Sequence, residues 1–135
     1  MEAMSSQGYI LVVNDDDGLR AELREILQVF GREIQDTPTG REGLKMCRNE
    51  KPALIVLDYN LKKDGLAVTA RDFLPHYKRE CPGVPIVVVS ATDLSINPKD
   101  IGVQDFLGIN SHTPWDTLLV EKAGVFLGEP ARPAS

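Results

Sequence analysis

The sequence predicts a doubly wound α/β fold, in which helices cover both faces of a five-stranded parallel sheet. Three apolar runs indicate this fold, at residues 9–13, 53–57 and 84–89, because strands that are buried on both faces lack alternating polar residues. Segments with apolar residues at three- and four-residue steps lie between these runs. Such alternation is typical of parallel strands joined by right-handed crossovers. Each run ends in polar residues, at the sheet edge where ligands bind in folds of this class.

Two strand–helix units are predicted in the first half of the chain. Residues 9–13 form the first strand, and the helix that follows over residues 17–30 has one apolar stripe and ends at Gly31. Residues 33–37 are weakly patterned and are predicted to form an edge strand. A second helix is expected over about residues 38–50.

The second half continues the same alternation. The predicted elements are strands over 53–58, 84–90 and 105–109, and helices over about 66–80, within 92–100 and from 113 to 127. Pro75 lies inside the first of these helices, which therefore either kinks there or starts later than residue 66. Asn97-Pro98 keeps the middle helix short. Thr113 is expected to cap the last helix with Pro114 at its first position, and Phe126 is expected on its apolar face.

The composition is typical of one globular domain. We predict that this domain covers residues 9–127, with an N-terminal extension over 1–8 and a tail over 128–135. The net charge of −5 argues against general binding to nucleic acid or to a membrane surface, which needs basic surface. No apolar run approaches the roughly 20 residues of a membrane span, and the N-terminus lacks the order of a signal peptide. A cytoplasmic location is therefore expected, with Cys47 and Cys81 reduced.

Polar residues at the strand ends define a candidate site. In a flavodoxin-like strand order of 2-1-3-4-5, the first and third strands are neighbours, which brings Asp15 close to Asp58. Two carboxylates about 5 Å apart repel by roughly 3 kcal/mol at an effective dielectric constant of about 20, and a hard cation such as Mg²⁺ would relieve that repulsion. A carboxylate can also attack phosphorus to form an acyl phosphate, and Ser90 could then hydrogen-bond a phosphoryl oxygen. The alternative is a set of helix caps and a solvated acidic rim.

These motifs together resemble the receiver domain of bacterial two-component response regulators, and the resemblance covers about residues 9–127. They are the polar residues after the first strand, the Asp that ends the third, the Ser-Ala pair after the fourth and the segment that enters the fifth: Asn14-Asp15-Asp16, Asp58, Ser90-Ala91 and Gly102-Val103-Gln104-Asp105-Phe106. The similarity implies a chemotaxis-regulator-like fold and a role in phosphorelay signalling.

The resemblance also implies a role for each site residue. Asp58 would accept a phosphoryl group from a histidine kinase, a phosphotransfer protein or a small donor. Mg²⁺ would be held by Asp15, Asp58 and the backbone carbonyl of Asn60. Ser90 would turn its hydroxyl toward the phosphoryl group, and Phe106 would swing inward when Ser90 moves. The alternative for Phe106 is a packing role.

The sequence departs from the family pattern at four places. Asn14 replaces the first of two acids; its amide can still hold a water that reaches the metal, but one negative charge is lost, so weaker Mg²⁺ binding is expected. Ile109-Asn110 replaces a Lys-Pro pair, which removes a charge-assisted hydrogen bond of roughly 1.5–3 kcal/mol and makes a cis peptide there costly. The loop after Asp58 is shortened and carries Lys62, which either replaces the missing cation or is a solvated surface residue. Residues 91–102 are also shortened, so the fourth helix and the surface around it are expected to be rebuilt.

Three functions remain open from the sequence. The first is a stand-alone receiver that accepts a phosphoryl group on Asp58 and signals to a downstream protein partner, without binding nucleic acid or membrane itself. The second is an atypical receiver that binds a partner independently of phosphorylation, which Asn14 and Ile109 favour. The third is a phosphohydrolase, but such enzymes usually carry a second Asp two residues after the nucleophile, where this chain has Asn60. A signalling domain is therefore expected rather than an enzyme.

Overall fold

Strands and helices alternate along the chain in a computed structural model, which describes residues 8–91, 96–110 and 112–130. The strands in these ranges are β1 Ile10–Val13, β2 Ile34–Thr37, β3 Leu54–Asp58, β4 Ile86–Ser90 and β5 Asp105–Gly108. The α-helices are α1 Asp17–Leu27, α2 Gly40–Asn49, α3 Ala70–Glu80, α4 Pro98–Ile101 and α5 Trp115–Leu127. Single turns of 3-10 helix cover Gln28–Phe30 and Lys62–Asp64.

The strands form one parallel sheet in the order β2-β1-β3-β4-β5, which confirms the predicted topology. β2 lies at an edge of the sheet, as its weak apolar pattern indicated. Val13 at the end of β1 pairs with Leu57, and Asp58 pairs with Val89 of β4. The residue that follows Val13 therefore comes alongside Asp58, at the carboxyl edge of the sheet.

Both faces of the sheet are buried, because side chains along the apolar strands alternate between two cores. α1 and α5 cover one face, and their buried residues pack on alternate strand positions: Leu23, Leu27, Leu119 and Ala123 on Ile10, Val12, Val56 and Val89. α2, α3 and α4 cover the other face in the same way: Leu44, Phe73, Tyr77 and Ile101 on Leu11, Val13, Leu57 and Val88. Burial of each such aliphatic side chain contributes roughly 1.5–3 kcal/mol to stability. The cores hold the strand ends in fixed register.

α3 begins at Ala70, four residues later than the predicted start at residue 66. A capping box defines this start, since the Thr69 hydroxyl accepts the Arg71 N–H at 3.3 Å and the Asp72 carboxylate accepts the Thr69 N–H at 2.9 Å. Leu66 lies in the preceding loop with 93% of its surface exposed. Pro75 nevertheless lies inside the helix.

α5 corrects two sequence predictions. The helix begins at Trp115 with Pro114 at the N-cap position, so Thr113 lies one residue outside it and does not cap the helix; its hydroxyl donates to Asn110 Oδ1 at 3.5 Å. Phe126 is 36% exposed, so it lies outside the buried stripe. Leu127, one turn after Ala123, packs against the core in its place.

Three other predictions concern the remaining helices and the two cysteines. α4 is a single turn over Pro98–Ile101, as expected from its proline, while residues 92–95 lie outside the described ranges. Cys47 and Cys81 are buried free thiols, as predicted. Within the described parts of the chain, no helix combines the length and the apolar character that crossing a membrane requires.

Candidate functional site

The ends of β1 and β3 bring two carboxylates into contact. Asp58, the last residue of β3, is 6% exposed, and its carboxylate contacts both the carboxylate and the N–H of Asp15. The N–H of Asn60 donates to Asp58 Oδ1 at 3.3 Å, and the N–H of Lys62 donates to Asp15 Oδ2 at 2.9 Å. The loop after β3 thus closes over the pair through its own backbone donors.

The environment of Asp58 disfavours its charged form. Burial is the largest cause and raises the pKa of Asp58 to about 7, with the Asp15 carboxylate acting in the same direction. The N–H of Asn60 opposes the shift, since it stabilises the ionised carboxylate. Without a cation, Asp58 therefore carries a proton in part of the molecules near neutral pH, and a positive charge placed beside it would favour its ionised form.

Asn14 lies fully buried beside the pair at the end of β1. Its Oδ1 accepts the N–H of Asp16 at 2.9 Å, and its backbone N–H donates to the carbonyl of Thr37 at 3.1 Å. Asn14 Nδ2 is buried and has no hydrogen-bond partner among the described residues. An unsatisfied buried donor costs about 1–3 kcal/mol, so an amide at this position is expensive for the fold.

The donor set fits a hard divalent cation. Mg²⁺ in proteins is typically held by one or two carboxylates and keeps several waters, and Asp15 and Asp58 supply two carboxylates in contact. Across the described ranges, no three His, Cys, Asp or Glu side chains cluster as a larger metal site would require. Asn14 is less suited as a direct ligand, because one lone pair of its oxygen is already taken by the Asp16 N–H.

Ser90 and Phe106 lie on the β4–β5 side of the same edge. Ser90 is fully buried at the end of β4, one residue beyond Val89, and its carbonyl accepts the N–H of Ile109 at 2.7 Å. Phe106 is half-buried on β5 and meets Tyr59 edge to face, with ring centroids 6.5 Å apart and planes at 75°. The structure therefore places Ser90 on the strand next to Asp58 and Phe106 one strand further along the sheet.

Tyr59 is a site residue that the sequence analysis missed. It directly follows Asp58, its ring contacts Phe106, and its hydroxyl accepts a hydrogen bond from Arg71 Nε at 3.1 Å. The available signal was an aromatic residue immediately after the strand-end carboxylate. Tyr59 joins the β3 end of the site to β5 and to α3.

Asp64 is a second residue that was missed, and it ties the loop after β3 to the start of α2. Its carboxylate accepts the N–H of Gly40 at 2.8 Å and the N–H of Arg41 at 3.4 Å. A carboxylate in this place also complements the positive end of the helix dipole. The loop is therefore anchored at its middle as well as at Asp15.

Cations surround the acidic residues but do not replace the absent lysine. The Arg20 guanidinium donates to the Asn14 carbonyl at 2.8 Å and pairs with Asp36 at 3.0 Å, while the Lys63 ammonium lies 3.3 Å from Asp17. The side chain of Lys62 makes no ion pair with any described residue, although its backbone N–H serves Asp15. Ile109 packs against the α1–α5 core, and every peptide bond in the described ranges is trans, as the sequence predicted for this position.

Comparison with known proteins matches residues 10–108 to the family described as the response regulator receiver domain. Response regulator MprA of Mycolicibacterium vanbaalenii is 32% identical over 103 residues, which cover 73% of this chain and 42% of that protein. Transcriptional regulatory protein AfsQ1 of Streptomyces coelicolor is 33% identical over 89 residues, which cover 65% of this chain and 37% of that protein. The chain thus spans about two fifths of the length of these curated relatives.

Solved structures with the same fold are also similar. A CheY-like response regulator receiver domain protein from Methanospirillum hungatei has a TM-score of 0.73 at 23% identity, covering 89% of this chain and 93% of that one. A putative response regulator from Chloroflexus aurantiacus has a TM-score of 0.72 at 22% identity, covering 90% and 98%. At these identities the likeness supports the arrangement of strands and helices.

Proposed function

The chain belongs to the response regulator receiver domain family, and we propose that its Asp58 is the side chain that accepts a phosphoryl group in two-component signalling. One observation carries the assignment to this residue. Asp58 is a buried carboxylate at the carboxyl edge of a central strand, in contact with the carboxylate of Asp15. The other strand-end acids, Asp16 and Asp17, cap or flank α1 instead.

In the proposed reaction, an Asp58 carboxylate oxygen attacks phosphorus in line with the leaving atom of the donor. The new oxygen–phosphorus bond forms an acyl phosphate, and the bond from phosphorus to the donor atom breaks with its electron pair leaving on the donor. The donor is a histidine kinase, a phosphotransfer protein or a small phosphorylated molecule. Asp58 must be ionised to attack, and a cation beside it lowers the fraction that carries a proton.

Asp15, Asp58 and the backbone carbonyl of Asn60 are the groups proposed to hold Mg²⁺, which when bound neutralises charge on the phosphoryl group. Asn14 Oδ1 has a second lone pair and would accept a hydrogen bond from a metal-bound water. Ser90 is proposed to donate its hydroxyl to a phosphoryl oxygen. Phe106, half-buried against Tyr59, is proposed as the aromatic side chain that moves when Ser90 does.

The direct test is incubation of the purified protein with acetyl phosphate and MgCl₂, followed by intact mass spectrometry. We expect a species heavier by one phosphoryl group, which is absent from Asp58→Asn and present in Asp16→Asn. Asp16 is a matched control, because it is an acid of the same cluster that serves as the N-cap of α1. If the modification persists in Asp58→Asn, the acceptor assignment is wrong.

A second candidate is an atypical receiver that binds its partner without phosphorylation. Two replacements favour it: Asn14 removes a negative charge that would attract Mg²⁺, and Ile109 stands where a lysine would pair with the phosphoryl group. This candidate requires that a partner binds wild type and Asp58→Ala equally. Partner affinity that depends on Asp58 and on acetyl phosphate would reject it.

The remaining assignments follow from the family. We propose a cytoplasmic signalling domain over residues 9–127 that passes its signal to a protein partner and makes no direct contact with nucleic acid. Receiver domains act as signalling modules, and Asn60 in place of a general acid is consistent with that role.

A further inference from the structure

A groove between α3 and α4 carries basic side chains on both of its walls. Its volume is about 500 Å³. Arg71 and Lys78 come from α3 and Lys99 comes from α4, and Asp100 is the single carboxylate among the described residues that line the groove. These described residues carry a net charge of +2, on a chain whose net charge is −5.

The positions on α3 explain why two cations face the same groove. Arg71, Leu74, Pro75 and Lys78 are spaced at three, four and seven residues from the first, so they share one side of the helix. Leu74 and Pro75 lie between the two cations and give the wall an apolar centre. On the opposite wall Ile101 adds a further apolar side chain. Charges thus flank an apolar floor.

Lys78 joins the two walls. Its ammonium lies 3.5 Å from the carbonyl of Ile101, at the C-terminal end of α4 where the helix dipole favours a cation. Gly102 allows this approach, because its φ is +70° and a Cβ there would collide with the Lys78 ammonium. The amine is therefore held in place at the rim of the groove.

Pro75 adds an apolar surface to the α3 wall, because its ring is exposed between Arg71 and Lys78. The groove thus combines cations with an apolar centre, which are the groups that bind an extended peptide with acidic and apolar residues.

We propose that the α3–α4 groove binds an acidic peptide segment of a partner protein, with an apolar side chain against the exposed ring of Pro75 and carboxylates beside Lys78 and Lys99. The groove between α1 and α5 offers the opposite charge, since Glu22, Glu25 and Asp116 line it. An acidic segment is repelled there and attracted to the α3–α4 groove. The proposal does not depend on phosphorylation of Asp58 and is tested without a phosphoryl donor.

The probe is a fluorescein-labelled peptide of sequence Glu-Glu-Leu-Asp-Leu-Glu-Glu, followed by fluorescence polarisation against the whole chain. We expect saturable binding that the Lys78→Gln/Lys99→Gln variant weakens roughly three- to tenfold. The matched control is Lys45→Gln/Lys51→Gln, which removes the same charge from exposed lysines that do not line the groove. The control is expected to bind as wild type does.

Amide chemical shifts locate the bound peptide. We expect shifts at Lys99 and Gly102 and none at Glu22 or Asp116. Lys78 supports the end of α4, so Lys99→Gln alone, at an exposed position, carries the test if the double variant unfolds.

Equal binding by the two double variants, or shifts confined to the α1–α5 groove, would overturn the proposal. Absence of saturable binding to wild type would do so as well. A peptide with Ser in place of both Leu residues must bind more weakly, since equal affinity would show that no Leu side chain packs on the apolar centre of the groove. Inorganic polyphosphate that competes at lower concentration than the peptide would show a general polyanion site instead. None of these outcomes bears on phosphorylation, which the Asp58→Asn experiment decides separately.

Discussion

The two halves of the candidate site differ in how much charge they hold. The acidic half, formed by Asn14, Asp15 and Asp58 at the ends of β1 and β3, concentrates two carboxylates beside a buried amide, and neither carboxylate forms an ion pair with a described residue. The β4–β5 half, formed by Ser90, Phe106 and Ile109, has a hydroxyl, an aromatic ring and an aliphatic side chain. The first half contains the carboxylates that a phosphoacceptor site uses. The three side chains of the second half include no cation that could pair with a phosphoryl group.

The difference implies that formation of the acyl phosphate and the structural change that follows it depend on different halves of the site. In the proposed reaction, attack by Asp58 would depend on the acidic half and on bound Mg²⁺, while any rearrangement would depend on contacts of β4 and β5 with the phosphoryl group. The Ile109 side chain is a hydrocarbon that packs on the α1–α5 core, so it cannot hydrogen-bond a phosphoryl group. We expect phosphorylation to be slower and its structural effect smaller than in a site with a lysine at this position.

The largest change is expected from Ile109→Lys, which supplies the β4–β5 half with a cation. A charge-assisted hydrogen bond to the phosphoryl group contributes roughly 1.5–3 kcal/mol, so phosphorylation by acetyl phosphate should accelerate roughly tenfold or more. Intact mass spectrometry over time measures the rate. Ile109→Met is the matched control, because Met has an unbranched side chain like that of Lys but carries no charge. Equal rates for the lysine and methionine variants would show that the two halves are not coupled through this position.

Asp58→Asn should stabilise the metal-free protein at alkaline pH. The folded-state pKa of Asp58, about 7, lies above its unfolded value near 3.8, so the folded state binds the proton more tightly. Wild-type stability from this group is full below about pH 4 and is lost as pH rises toward and through 7. We expect the variant to exceed wild type by roughly 1–3 kcal/mol at pH 8 and to match it near pH 4.

Urea unfolding in EDTA at a series of pH values measures this difference. Addition of MgCl₂ should reduce it at pH 8, because the cation stabilises the ionised pair in wild type only. A difference that does not vary with pH would mean that Asp58 is not destabilised by ionisation.

Asn14→Asp should strengthen the acidic half toward Mg²⁺. A third carboxylate beside Asp15 and Asp58 adds attraction for the cation, and we expect roughly three- to tenfold tighter binding by titration calorimetry. The same change adds repulsion without metal, so the metal-free variant should melt at a lower temperature. Asn14→Ala removes the unsatisfied Nδ2 without adding charge and serves as the control. Tighter Mg²⁺ binding by the alanine variant would contradict this account.

Tyr59→Phe should have the smallest effect, because Tyr59 bridges the halves mainly through its ring. The change removes an exposed hydrogen bond from Arg71, which contributes about 0.5–1 kcal/mol at most, and keeps the edge contact with Phe106. Thermal melting and the phosphorylation rate are expected to stay close to wild type. Tyr59→Ala loses both contacts and should destabilise more, so equal melting temperatures for the two variants would argue against a role for the ring.

The sequence predicted the fold and the acidic half because both follow from strand pattern. Continuous apolar runs mark strands buried on both faces, and strand order then places Asp15 beside Asp58. The start of α3 was harder to predict, since Leu66 continues the apolar pattern and the capping box of Thr69 and Asp72 sets the boundary. The capping box moves the start of α3 by about one helical turn from the start that the apolar periodicity indicates.

Contacts between distant elements were beyond sequence reasoning. The hydrogen bond from Arg71 to Tyr59 and the bond from Gly40 to Asp64 join residues 12 and 24 positions apart, and neither pair has a motif. The predicted cap at Thr113 was wrong because α5 begins one residue later than expected, which puts Pro114 at the N-cap position. The sequence showed that Ile109 stands where a lysine was expected. It did not show that the Ile109 side chain packs against the α1–α5 core.

The two grooves of opposite charge lie on opposite faces of the sheet, so a charged partner meets a different local charge on each face. The basic α3–α4 groove and the acidic α1–α5 groove would turn the protein in the field of a charged partner before contact, so that each partner meets its own face first. Such orientation raises association rates at low ionic strength and fades as salt shortens the Debye length. Two partners of opposite charge can therefore approach at the same time without competing for one surface.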